Sequence, residues 1–404
     1  PTYVLFFTDG QATVGGSEGC VATTNGGGCE AEDGSRAVGR ALSRGTDDAA
    51  TRDLVPWGES RPGCEVIGCG PAGHVCSDLG DEPQSAVGSD PVQLREVCPS
   101  HSVQMRMHLT VGRSAFGGPV ARAVITHGHA DHARAGHDEV WATQQTLDIM
   151  TIRYGADHCK TANAVPLRET LQINGVNLDF WPAGHILGSD QLLVDYQDTR
   201  ILASGDYKRR RDPSCAAFEL IPTDKPIDAF ITEATFALPV FKHPDDGDEI
   251  AKLLDSVRQF PNSTHLVGAY ALGKAQRIIG LIRQAGYEET IFIHGALKTL
   301  CDYYASQGIE LGRLAPATLE GKNTKANREL FEGRLVICPP SAFTSAWARR
   351  FNSPIFCFAS GWMQIRQRAK QRGVELPLIL SDHCDWHELL DTIRDLNPKE
   401  VWGT

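Results

Sequence analysis

The chain has 404 residues, 41% of them apolar and 22% charged, enough to bury two domain-sized cores. No apolar run reaches the ~20 residues of a membrane span, and Tyr3 to Phe7 is too short and lacks the basic flank of a secretion signal. A cytoplasmic protein without membrane contact is therefore expected. The net charge of −11 argues against a protein that coats nucleic acid, but residues 1–118 carry 15 acidic and 8 basic residues, which leaves only −4 on residues 119–404. An enzyme that grips a polyanion through a local patch is compatible with that balance.

Residues 1–118 form a separate stretch by composition. Seventeen of the first 100 residues are glycine, no lysine occurs before Lys160, and no sustained period of 2 or 3.6 appears. A disordered or foreign N-terminal extension is expected here. Cys64, Cys69 and Cys76 with His74 raise the idea of a zinc site, but the spacing is not C-x₂-C. The six cysteines after residue 118 are scattered singly near apolar segments and read as buried free thiols.

From Pro119 the pattern becomes regular. A strand over residues 121–126 breaks into His127-Gly-His129-Ala-Asp131-His132, three histidines and a carboxylate within six residues. If the strand runs on extended, His127 and His129 leave on the same side and can share one ion, while Asp131 and His132, beyond a small-residue turn, face a second. Imidazole and carboxylate suit Zn²⁺, with Mn²⁺ or Fe²⁺ as weaker alternatives. A helix is expected over 143–154, with Leu147, Met150 and Tyr154 on one face. Strands follow at 171–173, 178–181, 191–196 and 200–203. The second of these runs into His185 and the last into Asp206, which would gather ligands at one edge of a sheet. Another strand over 229–232 ends at Glu233.

Beyond Pro239 helix and strand alternate. Helices are expected at 250–260, 272–284, 297–306 and 342–350, and strands at 265–268, 290–294, 334–338 and 355–359. Such alternation implies a parallel sheet covered on both faces. A strand over 376–380 is expected to return to the first unit and deliver His383, followed by a helix over 386–396 and a last strand from Glu400 to Gly403.

The H-x-H-x-D-H motif resembles that of the metallo-β-lactamase superfamily. Ala183-Gly-His185-Ile-Leu-Gly188-Ser189, Ser204-Gly-Asp206-Tyr-Lys208, Ile231-Thr-Glu233-Ala-Thr-Phe236 and Leu380-Ser-Asp382-His383 are similar to its nucleic-acid-processing β-CASP branch. Within that branch, residues 119–404 look most like the bacterial ligase-associated DNA exonucleases, also described as mRNA 3′-end processing factors. The resemblance implies an αββα sandwich formed by residues 119–238 and 375–404, with an inserted parallel α/β β-CASP domain at 239–374. It implies two Zn²⁺ ions, Mn²⁺ being the alternative: His127, His129 and His185 on one, Asp131 and His132 on the other, and Asp206 bridging. It also implies His383 as general acid, charged and oriented by Glu233. In that family the last strand continues into a histidine that completes the second metal site, so with a sequence ending at Thr404 the second site is expected to be incomplete.

Three segments are candidates for handling phosphate. Lys208, Arg209 and Arg210 directly follow Asp206 and read either as phosphate contacts or as a solvated charged face. Lys274 closes Gly268-Ala-Tyr-Ala-Leu-Gly273-Lys274, which is not a P-loop but sits where a helix start favours an anion. Trp362 either stacks a base or fills a seam. The function these features imply is a metal-dependent phosphodiesterase trimming nucleic-acid ends, foremost a DNA 3′ exonuclease. The alternatives are an RNA nuclease of the 3′-end processing type and, in another class, an inactive nucleic-acid-binding paralogue. DNA is the implied partner, with an ATP-dependent ligase and a helicase as associates.

Overall fold

The computed structural model describes residues 119–318, 329–371 and 373–403, together with two dipeptide strands, Val92–Gln93 and His108–Leu109, that pair antiparallel. Apart from those dipeptides, the expected extension over residues 1–118, including Cys64, Cys69, His74 and Cys76, lies outside the described residues, as does Thr404.

The first sheet has three parallel strands, β1 (Arg122–Val124), β2 (His137–Ala142) and β3 (Cys159–Ala164). Helix α1 (Gln144–Tyr154) follows β2, its N-terminus capped by the Thr143 hydroxyl, which accepts from the Thr146 N–H. Its buried face is Thr146, Leu147, Ile149 and Met150, and Leu147 and Met150 pack on Ile125, Val140 and Ala142. Tyr154, expected on that face, is exposed, and Arg153 lies near its ring instead. Strands β2 and β3 escaped the sequence reading because His-Asp-Glu-Val-Trp-Ala and Cys-Lys-Thr-Ala-Asn-Ala carry too many polar residues to alternate.

The second sheet has six strands, β4 (Thr170–Ile173), β5 (Val176–Pro182), β6 (Asp190–Tyr196), β7 (Thr199–Ala203), β8 (Ala229–Thr232) and, beyond the second unit, β15 (Glu400–Gly403). They lie in the order β15-β8-β7-β6-β5-β4, antiparallel from β4 to β7 and parallel thereafter. Alternate residues serve two cores. Leu178, Phe180, Leu192 and Val194 meet Val124 and Trp141 of the first sheet. Leu193, Leu202 and Phe230 meet Leu389, Ile393 and Leu396 of helix α6 (Trp386–Leu396). The layering is thus helix, sheet, sheet, helix. Burial on both faces explains why β6 to β8 read as nearly continuous apolar runs.

Between β8 and α6 lies the second unit: α2 (Asp246–Gln259), β9 (His265–Gly268), α3 (Lys274–Gln284), β10 (Ile291–Ile293), α4 (Gly295–Ser306), β11 (Leu314–Pro316), β12 (Leu335–Cys338), β13 (Ile355–Ala359), α5 (Arg366–Gln371) and β14 (Leu376–Leu378). All six strands are parallel, in the order β11-β10-β12-β9-β13-β14. Helices α2, α3 and α4 cover one face. The other is covered by short turns and α5, through Phe343, Ala348, Phe351, Met363 and Ala369. Two expectations change here. The helix expected over 342–350 is a pair of 3₁₀ turns, Pro340–Ala342 and Ala348–Arg350, opened by the Pro339-Pro340 pair and bent at Ser345, whose hydroxyl accepts from Trp347 N–H. The strand at Leu376 does not return to the first unit but pairs with β13 as the edge of the second sheet, and the chain crosses over only after it. Among the described residues no helix is long and apolar enough to cross a membrane.

The seam between the units is ionic as well as apolar. Arg277 of α3 is fully buried between Asp212 (Nη1 to Oδ2, 2.9 Å) and Asp246. Deleting one member of such a cluster leaves buried charge uncompensated. Arg277→Met is expected to lower stability by about 3–5 kcal/mol in urea unfolding. A loss under about 1 kcal/mol would show that water reaches the two carboxylates in the seam.

Candidate metal centre

Four strand ends of the first unit and the crossover after β14 converge on one point. His127, His129 and His132 follow β1, His185 follows β5, Asp206 follows β7, Glu233 follows β8 and His383 follows β14. The extended continuation expected after β1 is not what brings the first histidines together. The strand ends at Val124, and the chain bends, with His132 and Ala133 N–H both donating to the His129 carbonyl. The loop is pinned by Arg153, whose Nη1 donates to the Gly128 carbonyl at 2.9 Å, and by Gly128 itself, where a Cβ would meet Ile149 Cγ2 at 2.5 Å.

Asp206 Oδ2 is the hub. His127 Nε2 lies 3.5 Å from it, His132 Nε2 3.6 Å, His185 Nε2 3.7 Å and His383 Nδ1 3.9 Å. His127, His129, His185 and Asp206 each turn one donor atom into a common space, all within 4.8 Å of one another. Burial, then the neighbouring imidazoles, keeps His127 well below its usual pKa, and burial with the charge of His383 lowers His185 to about 3. Burial would raise Asp206, but His132, His383, His185 and His129 outweigh it and hold it at about 2. The donor set is therefore neutral imidazole plus carboxylate, as a divalent ion requires. His127 Nε2 is buried with no hydrogen-bond partner, an orphan that an ion in this space would satisfy. The residues fit a metal.

The outer contacts fix which nitrogen faces inward. His185 Nδ1 is 2.8 Å from the Asp382 carbonyl, which leaves Nε2 for the centre. His129 Nε2 is 3.2 Å from the Leu272 carbonyl, which leaves Nδ1. Both carbonyls accept, so both ring nitrogens donate. Asp382 and Leu272 lie in segments the sequence singles out, but no role was expected of their carbonyls, because a backbone carbonyl carries no residue-specific signal. Next to Leu272, Gly273 sits at φ +80°, where a Cβ would lie 2.1 Å from Ile186 Cγ2. Glycine there lets the second unit approach His129.

His383 Nδ1 pairs with Glu233 Oε2 at 2.8 Å, and Glu233 Oε1 accepts from Tyr207 N–H at 2.8 Å. Burial opposes a charge on His383, but Glu233, then Asp206, raise its pKa to about 10. The pair thus carries its proton on the imidazole, with Nε2 directed away from Glu233.

Asp131 is exposed and joins none of the clusters of potential ligands among the described residues. The basic run turns inward. Lys208 is fully buried, donating to the His383 carbonyl at 3.1 Å and to Glu388 at 3.3 Å. Arg209 is held by Thr392 and Asp395, and Arg210 by Pro244, His243 and Asp385. Their charges are engaged with the protein, forming a clamp between the loop after β7 and α6. Lys274 Nζ pairs with Asp382 at 2.8 Å, both buried. Trp362 fills the seam against Phe236 (5.1 Å) and Phe241 (5.0 Å), while its outer face carries the Arg368 guanidinium at 4.1 Å.

No protein-family model matches the chain. It is 28% identical over 294 residues to a "Probable DNA ligase" of Opitutus terrae, covering 70% of this chain and 26% of that one. It is 29% identical over 219 residues to "Endoribonuclease ysh1" of Aspergillus fumigatus (51% and 23%), and 31% identical over 144 residues to "Cleavage and polyadenylation specificity factor subunit 3-I" of Arabidopsis thaliana (35% and 20%). The chain spans about a quarter or less of the length of these relatives.

Because His383 binds its proton more tightly in the folded chain than in the unfolded one, its pairing stabilises fully below pH ~6.5 and loses its effect as pH rises toward 10. In metal-free protein the urea midpoint should fall across that window, and Glu233→Gln should flatten the fall. An equal slope in the variant would remove Glu233 as the cause.

Proposed function

We propose that this relative of the β-CASP metallo-β-lactamase nucleases is a metal-dependent phosphodiesterase that trims nucleic-acid ends, foremost a DNA 3′ exonuclease. The observation that carries the reading is the Asp206 carboxylate ringed by four imidazoles, one of them charged by Glu233. On this reading, β1–β8, α1, α6 and β15 are the αββα sandwich, and the parallel sheet from α2 to β14 is the inserted domain.

His127, His129 and His185 would hold one Zn²⁺, and His132 with Asp206 the other; Asp131 would have to turn inward to join it. Mn²⁺ is the alternative. When bound, the ions supply Lewis-acid polarisation of the phosphoryl group and neutralise its charge.

The protein's own contributions follow from the contacts. Glu233 holds the proton on His383, and His383 Nε2 can pass it to the departing oxygen, which otherwise leaves as an alkoxide. Asp382 orients His185 through its carbonyl and is itself braced by Lys274, so the second unit sets the angle of a ligand it does not supply.

The endoribonuclease relatives favour RNA cleavage as the second reading, since the same parts act on either polymer. An inactive paralogue is less well supported, because the positions expected to hold the first ion all turn toward one space. A ligase and a helicase are proposed as associates on the strength of the Opitutus relative's name and the family resemblance.

Two measurements test the reading. With 5′- and 3′-labelled DNA and RNA strands, chelation should abolish cleavage, and Zn²⁺ or Mn²⁺ should restore it. Loss of the general acid by His383→Ala should lower kcat by about 10²–10⁴ with KM little changed, and Asp206→Ala should abolish turnover. Stepwise shortening of DNA from the 3′ end is the expected pattern, and RNA-selective cutting would promote the second reading. Folded, metal-loaded protein that cuts neither polymer would refute both.

A further inference from the structure

Between Gly333 and Val374 the sequence has seven basic residues and no acidic one, in a chain of net charge −11. Arg334 is paired with Glu289. Arg349, Arg350, Arg366, Arg368 and Lys370 form no ion pair with any described residue, unlike the buried clamp of Lys208, Arg209 and Arg210. Arg349, Arg366 and Lys370 are exposed, while Arg350 and Arg368 lie over tryptophans, Trp347 at 5.7 Å and Trp362 at 4.1 Å. Like charges gathered without counter-charge repel one another, a standing cost that a polyanion would reverse.

These residues share one face of the parallel sheet. Phe343 packs against both the Trp347 cluster and the Met363–Ala369 cluster, so the 3₁₀ turns and α5 form one continuous surface, opposite α2, α3 and α4. That surface lies within reach of the candidate centre, separated from it by the buried ring of Phe236. From Arg368 the path steps 4.1 Å to Trp362, 5.1 Å to Phe236 and 6.2 Å to His383. Guanidinium groups laid over tryptophan rings offer charge to phosphates and a planar platform to unstacked bases, which a duplex does not present and a single strand does.

We propose that Arg349, Arg350, Arg366, Arg368 and Lys370, with Trp362, form a landing track that holds single-stranded nucleic acid and directs its end toward His383. The direction rests on the phosphodiesterase reading; the affinity does not. The track also resolves the charge problem, because an acidic protein needs an acid-free local patch to hold a polyanion.

The test is fluorescence anisotropy of labelled 20-nucleotide oligothymidylate and oligouridylate with the full chain in EDTA, at stepped NaCl concentrations. The triple variant Arg366→Glu/Arg368→Glu/Lys370→Glu is expected to bind at least tenfold more weakly and to lose about two units of log–log salt slope, at about 0.7 per phosphate contact. Lys298→Glu, an exposed charge reversal on α4, should bind as the parent does, and thermal unfolding monitored by circular dichroism checks that both variants fold. Unchanged affinity and slope in the triple variant would overturn the track, and so would an equal loss in the Lys298 variant. So would absent strand binding beside tight binding to vesicles of phosphatidylcholine and phosphatidylserine. With metal restored, the triple variant should raise KM for the strand and keep kcat. If the parent binds through the track but cleaves neither the strand nor bis(p-nitrophenyl) phosphate, the track stands and the phosphodiesterase reading falls.

Discussion

A carboxylate placed among four imidazoles is the constraint on which this structure turns. Asp206 Oδ2 lies 3.5–3.9 Å from His127, His132, His185 and His383, near enough for strong mutual influence and too far for direct hydrogen bonds. Taking such groups out of water is costly unless something compensates for the lost solvation. The orphaned His127 Nε2 marks where compensation is missing in the protein alone. The strand order follows the same need: β5, β7 and β8 each bring one contribution to the same edge, and β1, across the sandwich, brings His127, His129 and His132.

The second unit is part of that centre, not an appendage. It supplies the Leu272 carbonyl that orients His129, the Lys274 that braces Asp382, and the crossover after β14 that carries His383. Its own sheet is one-sided in character. Three helices with apolar faces cover the side facing the seam, and short basic turns cover the other. Buried ions fasten the seam: Arg277 to Asp212 and Asp246, Lys208 to Glu388, Lys274 to Asp382. Buried pairs contribute less to net stability than to a unique arrangement, and here a slip in the seam would misalign two ligands at once.

The two basic regions show how burial decides the meaning of a charge. Lys208, Arg209 and Arg210 stand next to the hub in sequence, yet each finds a carboxylate or carbonyl of the protein. Arg366, Arg368 and Lys370, just beyond Trp362, pair with no carboxylate among the described residues. Nearness to Asp206 along the chain does not decide what a charge meets, because the loop after β7 folds back onto α6.

Much was legible from residues alone. H-x-H-x-D-H after an apolar strand, the strand ends at His185, Asp206 and Glu233, and the later strand–helix rhythm all come from spacing, because ligand chemistry and periodicity are local properties. The strands β8, β9, β13 and β15 and helix α6 have the bounds their patterns predict. Polar strands β2 and β3 were hidden because their partners, not their own residues, make them strands. Which sheet receives β14, which side chains the basic run meets, and which carbonyls orient His129 and His185 were settled only in three dimensions. Each depends on a partner more than 100 residues away, or on a register between strands that no local pattern encodes.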